Sequence, residues 1–278
     1  MTNQMQITVF QGTVGDRNDL ARPGAMAIGK LIAERLGLTP EIIGAPSAVI
    51  GCGWREALEA AKPSLIALSD RLNHLFAENI KPFTASSRCA ASLATLPVVA
   101  RYYPDACIVW FDAHADLNTP ATSVTGYLGG FSIAGPAGLW DSGLGSGLDL
   151  SAVILAGARD IDPPEQKLID DGKLQWVPGG GGLAEGLRRA INGRAVYVHL
   201  DCDVLEPGIV PTEYGVPGGL SLDDLYHACQ VIAENGIIGL EIAEFQISQI
   251  ENGTPATPDA LLDALGPLIN GLNSQITR

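Results

Sequence analysis

The sequence predicts a single-domain, three-layer α/β/α fold built on a mainly parallel sheet. Short β-branched or aromatic apolar runs recur along the 278 residues, amphipathic stretches of helical period lie between them, and neither an internal repeat nor a composition shift marks a linker. Hydrophobic residues make up 46% of the chain and charged residues 17%, with 33 glycines and 18 prolines, so buried strands joined by shaped loops are expected rather than disorder. Residues 1–278 are therefore read as one domain.

In chain order, the run ITVF at 7–10 is the first strand, bounded by turn residues and too short for a helix. Helical periodicity follows at 25–36, 54–76 and 89–102. ACIVWF at 106–111 and AVILA at 152–156 are the next two strands. Between them the Gly-, Ser-, Pro- and Thr-rich segment 119–151 is too long for an ordinary connection and is expected to be a functional loop or lid. The glycines at 179–182 make a turn into a helix at 183–191, because no Lys-Ser/Thr pair follows them to complete a phosphate loop. Strands at 195–200 and 237–242 alternate with helices at 222–235 and 259–272. Such alternation means a parallel sheet.

The formal net charge is -14 and no run of five or six Lys and Arg occurs, so nucleic acid is not an expected partner. The negative field favours cations such as a divalent metal or a guanidinium. The cysteines Cys52, Cys89, Cys107, Cys202 and Cys229 are odd in number and form no Cys-x-x-Cys pair, which argues for reduced thiols in the cytoplasm. MTNQMQITVF lacks the basic and apolar segments of a signal peptide, and no apolar run is long enough to span a membrane.

WFDAHADLNTP places Asp112, His114 and Asp116 just after an apolar strand, where open α/β sheets present functional groups. A second strand, in AVYVHLDCDVLEP, ends in Asp201 and Asp203, whose alternate spacing puts both carboxylates on one side of the chain. Acids at strand ends are commonly turn formers and caps, but two such groups on one edge weaken that explanation. Four carboxylates gathered in a low-dielectric cleft repel one another unless cations compensate, which points to a dinuclear metal site. Oxygen ligands with imidazole suit Mn²⁺ better than soft metals.

Asp112-Ala-His114-Ala-Asp116 and Asp201-Cys-Asp203 resemble the Asp-Ala-His-x-Asp and Asp-x-Asp signatures of the ureohydrolase family of arginases and agmatinases. The resemblance runs from roughly residue 85 to 244. It implies that these residues ligate two manganese ions and that a bridging hydroxide attacks a guanidinium carbon. It also implies an arginase- and deacetylase-like architecture, a small guanidino substrate, and a homo-oligomer, commonly a trimer or hexamer. Asp162 and Glu165, in Gly157-Ala-Arg-Asp-Ile-Asp-Pro-Pro-Glu, inherit contact with a substrate α-amino group, and Asn118 and Thr125 with its α-carboxylate. Glu244, in GLEIAEF, aligns with the glutamate that accepts guanidinium hydrogen bonds. Asp116 and Glu244 are thus the candidate catalytic residues, Glu244 also binding substrate.

Two departures from the family pattern stand out. Its Gly-Gly-Asp-His-Ser motif reads Ser86-Ser87-Arg88-Cys89-Ala90 here, so Cys89 stands where a histidine ligand is expected. Cys89 is either a soft metal ligand or a small buried helix residue, so the number of ions is one or two. The second metal keeps its whole expected set, Asp112, His114, Asp201 and Asp203. The Asn-Leu-His-Gly run that carries a proton-shuttling histidine reads Tyr127-Leu128-Gly129-Gly130. His74, His199 and His227 are read as structural or surface residues and do not replace it.

Losing a general acid hurts least when the guanidine is weakly basic. The two departures therefore favour N-hydroxy-L-arginine, cleaved to ornithine and hydroxyurea, over L-arginine, cleaved to ornithine and urea. The alternatives are agmatinase, guanidinobutyrase or formiminoglutamase activity, and a metal-depleted family member that binds or regulates without catalysis. Asp162 and Glu165 weigh against agmatine and guanidinobutyrate, which lack an α-ammonium group.

Overall fold

The computed structural model describes residues 5–48, 51 and 53–273, which leaves Cys52 outside the described residues. Eight strands form one sheet: β1 (Met5–Phe10), β2 (Glu41–Ile43), β3 (Lys81–Ala85), β4 (Cys107–Phe111), β5 (Val153–Ala156), β6 (Gln175–Val177), β7 (Val196–Asp201) and β8 (Ile237–Ala243). Their order is β2-β1-β3-β8-β7-β4-β5-β6, and every pairing is parallel. The helices are α1 (Ala21–Leu36), α2 (Trp54–Ala77), α3 (Ser92–Tyr102), α4 (Pro163–Asp170), α5 (Leu183–Ile191), α6 (Leu222–Ile232), α7 (Asp259–Ala264) and α8 (Gly266–Asn273).

Strand alternation builds the three layers. Cys107, Val109 and Phe111 of β4 pack into a core shared with α1, α5, α6, α7 and α8, whereas Ile108 and Trp110 face the core under α2 and α3. Because both faces are covered, β4, β7 and β8 are buried at every position, which explains their continuous apolar runs.

Three strands and one helix escape the sequence reading. β2 and β6 are three-residue strands at the two edges of the sheet, too short to show a period, and β3 opens with Lys81-Pro82, which masks the apolar residues after it. The short α4 begins with two prolines, suited to a first turn because they lack an N–H, and has little apolar surface. The expected helix 259–272 is two helices, separated at Leu265 just before Gly266 and Pro267. Cys89–Ala91 forms a single 3₁₀ turn before α3, so the expected helix 89–102 changes pitch at its start.

Segment 119–151 is more wall than lid. Leu128, Phe131, Ile133 and Ala134 are buried in it, and Phe131 packs edge-on against Trp54 and Trp140. Residues 179–182 form the exposed turn between β6 and α5. Among the described residues no helix is long and apolar enough to cross a membrane.

Candidate functional site

The chain passes from β3 to β4 across the two later strands β8 and β7, so five neighbouring strands, β3-β8-β7-β4-β5, direct their carboxyl ends to one place. Arg88 and Cys89 follow β3, Glu244 follows β8, Asp201 ends β7 with Asp203 just beyond, and Asp112, His114 and Asp116 follow β4. The loop after β5 delivers Asp160 and Asp162, and the first turn of α4 delivers Glu165. A cavity of about 240 Å³ lies over this edge, lined by Cys89, His114, Asp116, Asp201, Asp203 and Glu244. Asn118, Thr125, Asp162, Glu165, Arg17, Tyr127, Tyr214 and Gly129 also line it.

Three groups of ligand atoms, each within 4.8 Å of one another, could hold a metal ion: Cys89 with Asp112 and Asp116, Asp112 with His114 and Asp203, and Cys89 with Asp201 and Glu244. His114 Nδ1 lies 3.0 Å from an oxygen of Asp203 and 3.2 Å from one of Asp112. Cys89 Sγ donates to Asp201 Oδ2 at 3.0 Å. Local backbone geometry fixes the acids. Asp201 Oδ1 accepts from the N–H of Asp203 at 2.7 Å, Asp112 Oδ1 from that of His114 at 2.6 Å, and Asp203 Oδ1 from that of Ala113 at 2.9 Å.

Asp116 and Glu244 have φ of 52° and 65°, in the left-handed region. Among the described residues the other non-glycine positions found there are asparagines, which tolerate it well; an acid held so marks a position imposed by its surroundings.

The electrostatics favour a compensating cation at this cluster. Burial and the charge of neighbouring acids push Asp116 and Asp201 well above the ordinary carboxylate range. Asp203 is pushed up to about 6 by burial and Asp112, with His114 opposing, and Glu244 to about 7 by burial, with Arg88 opposing. Burial would lower His114, but hydrogen bonds to Asp112 and Asp203 outweigh it and push it up to about 12. This donor set fits one or two hard or borderline divalent ions, which would replace protons as the compensating charge.

A stability prediction follows. Each raised group binds its proton more tightly in the folded state, so its contribution is full below the unfolded value, near ~4 for carboxylates. That contribution is lost as pH rises through about 6 for Asp203 and about 7 for Glu244. Chelator-treated protein should therefore melt several degrees lower at about pH 8 than at about pH 5, and added Mn²⁺ should narrow the gap. Differential scanning fluorimetry measures this; a gap unchanged by Mn²⁺ would count against cation compensation.

Also lining the cavity, Asn118 donates through Nδ2 to Asp162 Oδ2 at 2.8 Å while its Oδ1 accepts from Thr122 Oγ1 at 2.9 Å. Thr125 is exposed at the rim. Glu165 is buried, and its two oxygens accept from the backbone N–H groups of Leu117 and Asp162, both at 2.9 Å. It closes the capping box of α4 and so positions Asp162, leaving Asp162 as the freer acid toward a ligand.

Residues 54–259 match the model of the arginase family. The chain belongs to the arginase family. It is 35% identical over 263 residues, 95% of its length and 96% of the relative's, to the N(omega)-hydroxy-L-arginine amidinohydrolase of Streptomyces lavendulae. Against the arginase of Bacillus subtilis it is 26% identical over 216 residues, 71% of this chain and 73% of that one. Its fold superposes on the crystal structure of arginase from Bacillus cereus with a TM-score of 0.80 at 23% identity, covering 98% of this chain and 100% of that one. The proclavaminate amidino hydrolase of Streptomyces clavuligerus superposes with a TM-score of 0.70 at 19% identity, over 98% and 94% of the two chains.

Within this arginase-family framework the structure adds residues that sequence reasoning passed over. His199, read as a structural or surface residue, is fully buried beside Cys89, with Nε2 3.1 Å from Cys89 Sγ and Nδ1 2.9 Å from Glu241 Oε1. Its ring stacks on Trp110 at 3.6 Å, and Ser92 and Thr95 also donate to Glu241. Burial alone would raise Glu241, but His199 and the two hydroxyls hold it below the usual carboxylate range. His74 and His227 are exposed on α2 and α6. Arg88, Tyr127 and Tyr214 are the other additions. Their partners lie far away along the chain, and the one sequence signal was an arginine in the otherwise uncharged run SSRCAASLATLP.

Gly129 has a steric explanation. A Cβ there would sit 2.4 Å from Cε1 of Tyr127 and 3.0 Å from its Cζ, so a side chain at 129 and the tyrosine ring exclude each other. Gly129→His alone should cost about 1–3 kcal/mol without improving arginine turnover. Tyr127→Asn with Gly129→His should accommodate the imidazole and raise arginine turnover by about 10²-fold. Thermal melts and steady-state kinetics on both variants measure this; equal stability of the two would refute the steric account.

Proposed function

We propose that this arginase-family amidine hydrolase cleaves the guanidino C–N bond of an arginine-like amino acid, and that N-hydroxy-L-arginine is preferred over L-arginine. The observation that carries the reading is one cavity lined by two chemically distinct sets of residues. His114, Asp116, Asp201, Asp203, Cys89 and Glu244, which group with Asp112 as candidate metal ligands, form one set; Asp162, Asn118 and Thr125, which can meet an amino acid head group, form the other.

Asp162 would pair with the α-ammonium, and Asn118 and Thr125 would donate to the α-carboxylate. Glu244 would accept from guanidine N–H groups and orient the carbon over the acid cluster. Asp112, His114, Asp201 and Asp203 would hold one metal ion, and Cys89, Asp112, Asp116 and Asp201 the other. Manganese is the natural occupant of so oxygen-rich a set. Bound there, it would lower the pKa of a water molecule and polarise the substrate. The water oxygen bonds to the guanidine carbon, the bond to the side-chain nitrogen breaks, and that nitrogen leaves with a proton as the amine of ornithine. The other fragment is hydroxyurea from the N-hydroxylated substrate and urea from arginine.

The preference for N-hydroxy-L-arginine rests on Gly129, where no side chain supplies the leaving nitrogen with a proton, and on full-length similarity to a relative named for that substrate. Buried, unpaired thiols at Cys89, Cys107, Cys202 and Cys229 suit a reducing cytoplasm, and a homo-oligomer is the expected assembly. Incubating the protein and Mn²⁺ with N-hydroxy-L-arginine, L-arginine or agmatine, and quantifying ornithine, putrescine, urea and hydroxyurea, tests the reading. Faster turnover of either unmodified guanidine would overturn the preference.

A further inference from the structure

Resting on that reading, we infer that Arg88 is a specificity-determining residue: it sets the end of the cavity at Glu244 to accept an uncharged, weakly basic guanidine and to reject a guanidinium cation. The carboxylate that would receive the substrate is already bonded to a guanidinium of the chain itself. Arg88 is fully buried, and its Nη1 lies 2.7 Å from Glu244 Oε2 and 2.6 Å from Glu213 Oε2, with Nε 3.4 Å from Asp16 Oδ1. The backbone N–H of Cys89 donates to the other oxygen of Glu244 at 3.2 Å. Arg88 is not itself part of the cavity wall, but Glu244 is, so Glu244 faces the cavity with its charge already countered from behind.

A guanidinium seated on Glu244 would put a second cation within a few ångströms of Arg88 and compete with it for the same carboxylate, although Glu213 and Asp16 share the charge of Arg88. Arg17, on the cavity wall with its guanidinium 4.4 Å from the Tyr127 ring centroid, adds a third cation nearby. An uncharged guanidine meets none of this repulsion and can still donate N–H hydrogens to the lone pairs left on Glu244.

The tyrosines supply an independent argument. The hydroxyls of Tyr127 and Tyr214 are buried without a hydrogen-bond partner, both residues line the cavity, and their ring centroids are 5.5 Å apart. Each O–H needs an acceptor. A guanidinium can only donate to the phenol oxygens, whereas a neutral guanidine also offers their O–H groups an imine nitrogen lone pair, and an N-hydroxyguanidine an oxygen as well.

The test compares kcat/KM for L-arginine, N-hydroxy-L-arginine and L-canavanine from about pH 6.5 to 10. Canavanine is a weakly basic oxyguanidine with no N-hydroxyl group, so it separates charge from recognition of that group. Ionisations of the free enzyme cancel when two substrates are compared as a ratio. If only neutral guanidine is used, canavanine outpaces arginine at least ~10-fold at neutral pH, because far more of it is uncharged there; the pH slope of such a ratio is the same whichever single protonation state is used, so its size at neutral pH decides. An Arg88→Met variant, checked by circular dichroism and metal content, should shift the canavanine-to-arginine ratio at least ~10-fold toward arginine. Canavanine turned over no faster than arginine at neutral pH overturns the inference even if the variant does not fold, as does an unchanged canavanine-to-arginine ratio in a folded variant. Hydrolysis of guanidines would still stand in either case. Turnover of none of the three would overturn the hydrolase reading and this inference together.

Discussion

Asp112→Asn is expected to lower guanidine hydrolysis by ~10³-fold or more, because it removes a ligand atom common to two of the three candidate metal groups. One oxygen of Asp112 lies 3.2 Å from His114 Nδ1, the other accepts from Trp110 Nε1 at 2.9 Å, and its ligand atom groups with Cys89 and Asp116 as well as with His114 and Asp203. No other carboxylate is common to those two groups, so none takes its part from its present place. The fold should survive, because asparagine keeps the volume and can still accept from Trp110. Removing one acid should also relieve repulsion, so the metal-free variant should be at least as stable as its metal-free parent. Kinetics, metal content by mass spectrometry and thermal melts check the three parts. An active variant with full metal content would break the assignment of Asp112.

How much of this could be read along the chain depended on the sequence distance between partners. Asp112, His114 and Asp116, and then Asp201 and Asp203, each sit two residues apart beyond an unbroken apolar strand, so local spacing revealed them. Glu244 and Asp162 were legible only through family resemblance, because an acid after a strand or at a helix start is common in any fold. Arg88 was opaque: its partner Glu244 is 156 residues away, and it follows a strand that Lys81 and Pro82 disguise. His199 looked structural because what distinguishes it, contact with Cys89 on another element, is 110 residues away. The fold class was clear for the opposite reason. It depends on many short apolar runs, and the loss of the edge strands β2 and β6 does not alter the pattern made by the central ones.

Cys89→His alone is expected to fail as a route to a second strongly held metal, whereas Cys89→His with His199→Ser should succeed. The simplest reading of the sequence treats Cys89 as a lost imidazole ligand that one substitution restores. The structure complicates it, because an imidazole already occupies the space behind the thiol. His199 Nε2 is 3.1 Å from Cys89 Sγ, its ring is stacked on Trp110, and the position is fully buried. A histidine at 89 must push into that ring or away from the acids, and such overpacking costs about 1–3 kcal/mol. With serine at 199 the space opens, and a histidine at 89 can reach toward both Asp201 and Glu241. Glu241 would then bind the new imidazole as it now binds His199 Nδ1 at 2.9 Å, orienting it as an outer acid orients a metal-bound histidine. The single variant should melt several degrees lower and keep the parent's manganese stoichiometry. The double variant should recover stability when Mn²⁺ is added and bind more manganese per chain, measured by mass spectrometry and calorimetric titration. Equal stoichiometry in parent, single and double variants would refute the view that a histidine at position 89 adds a metal site.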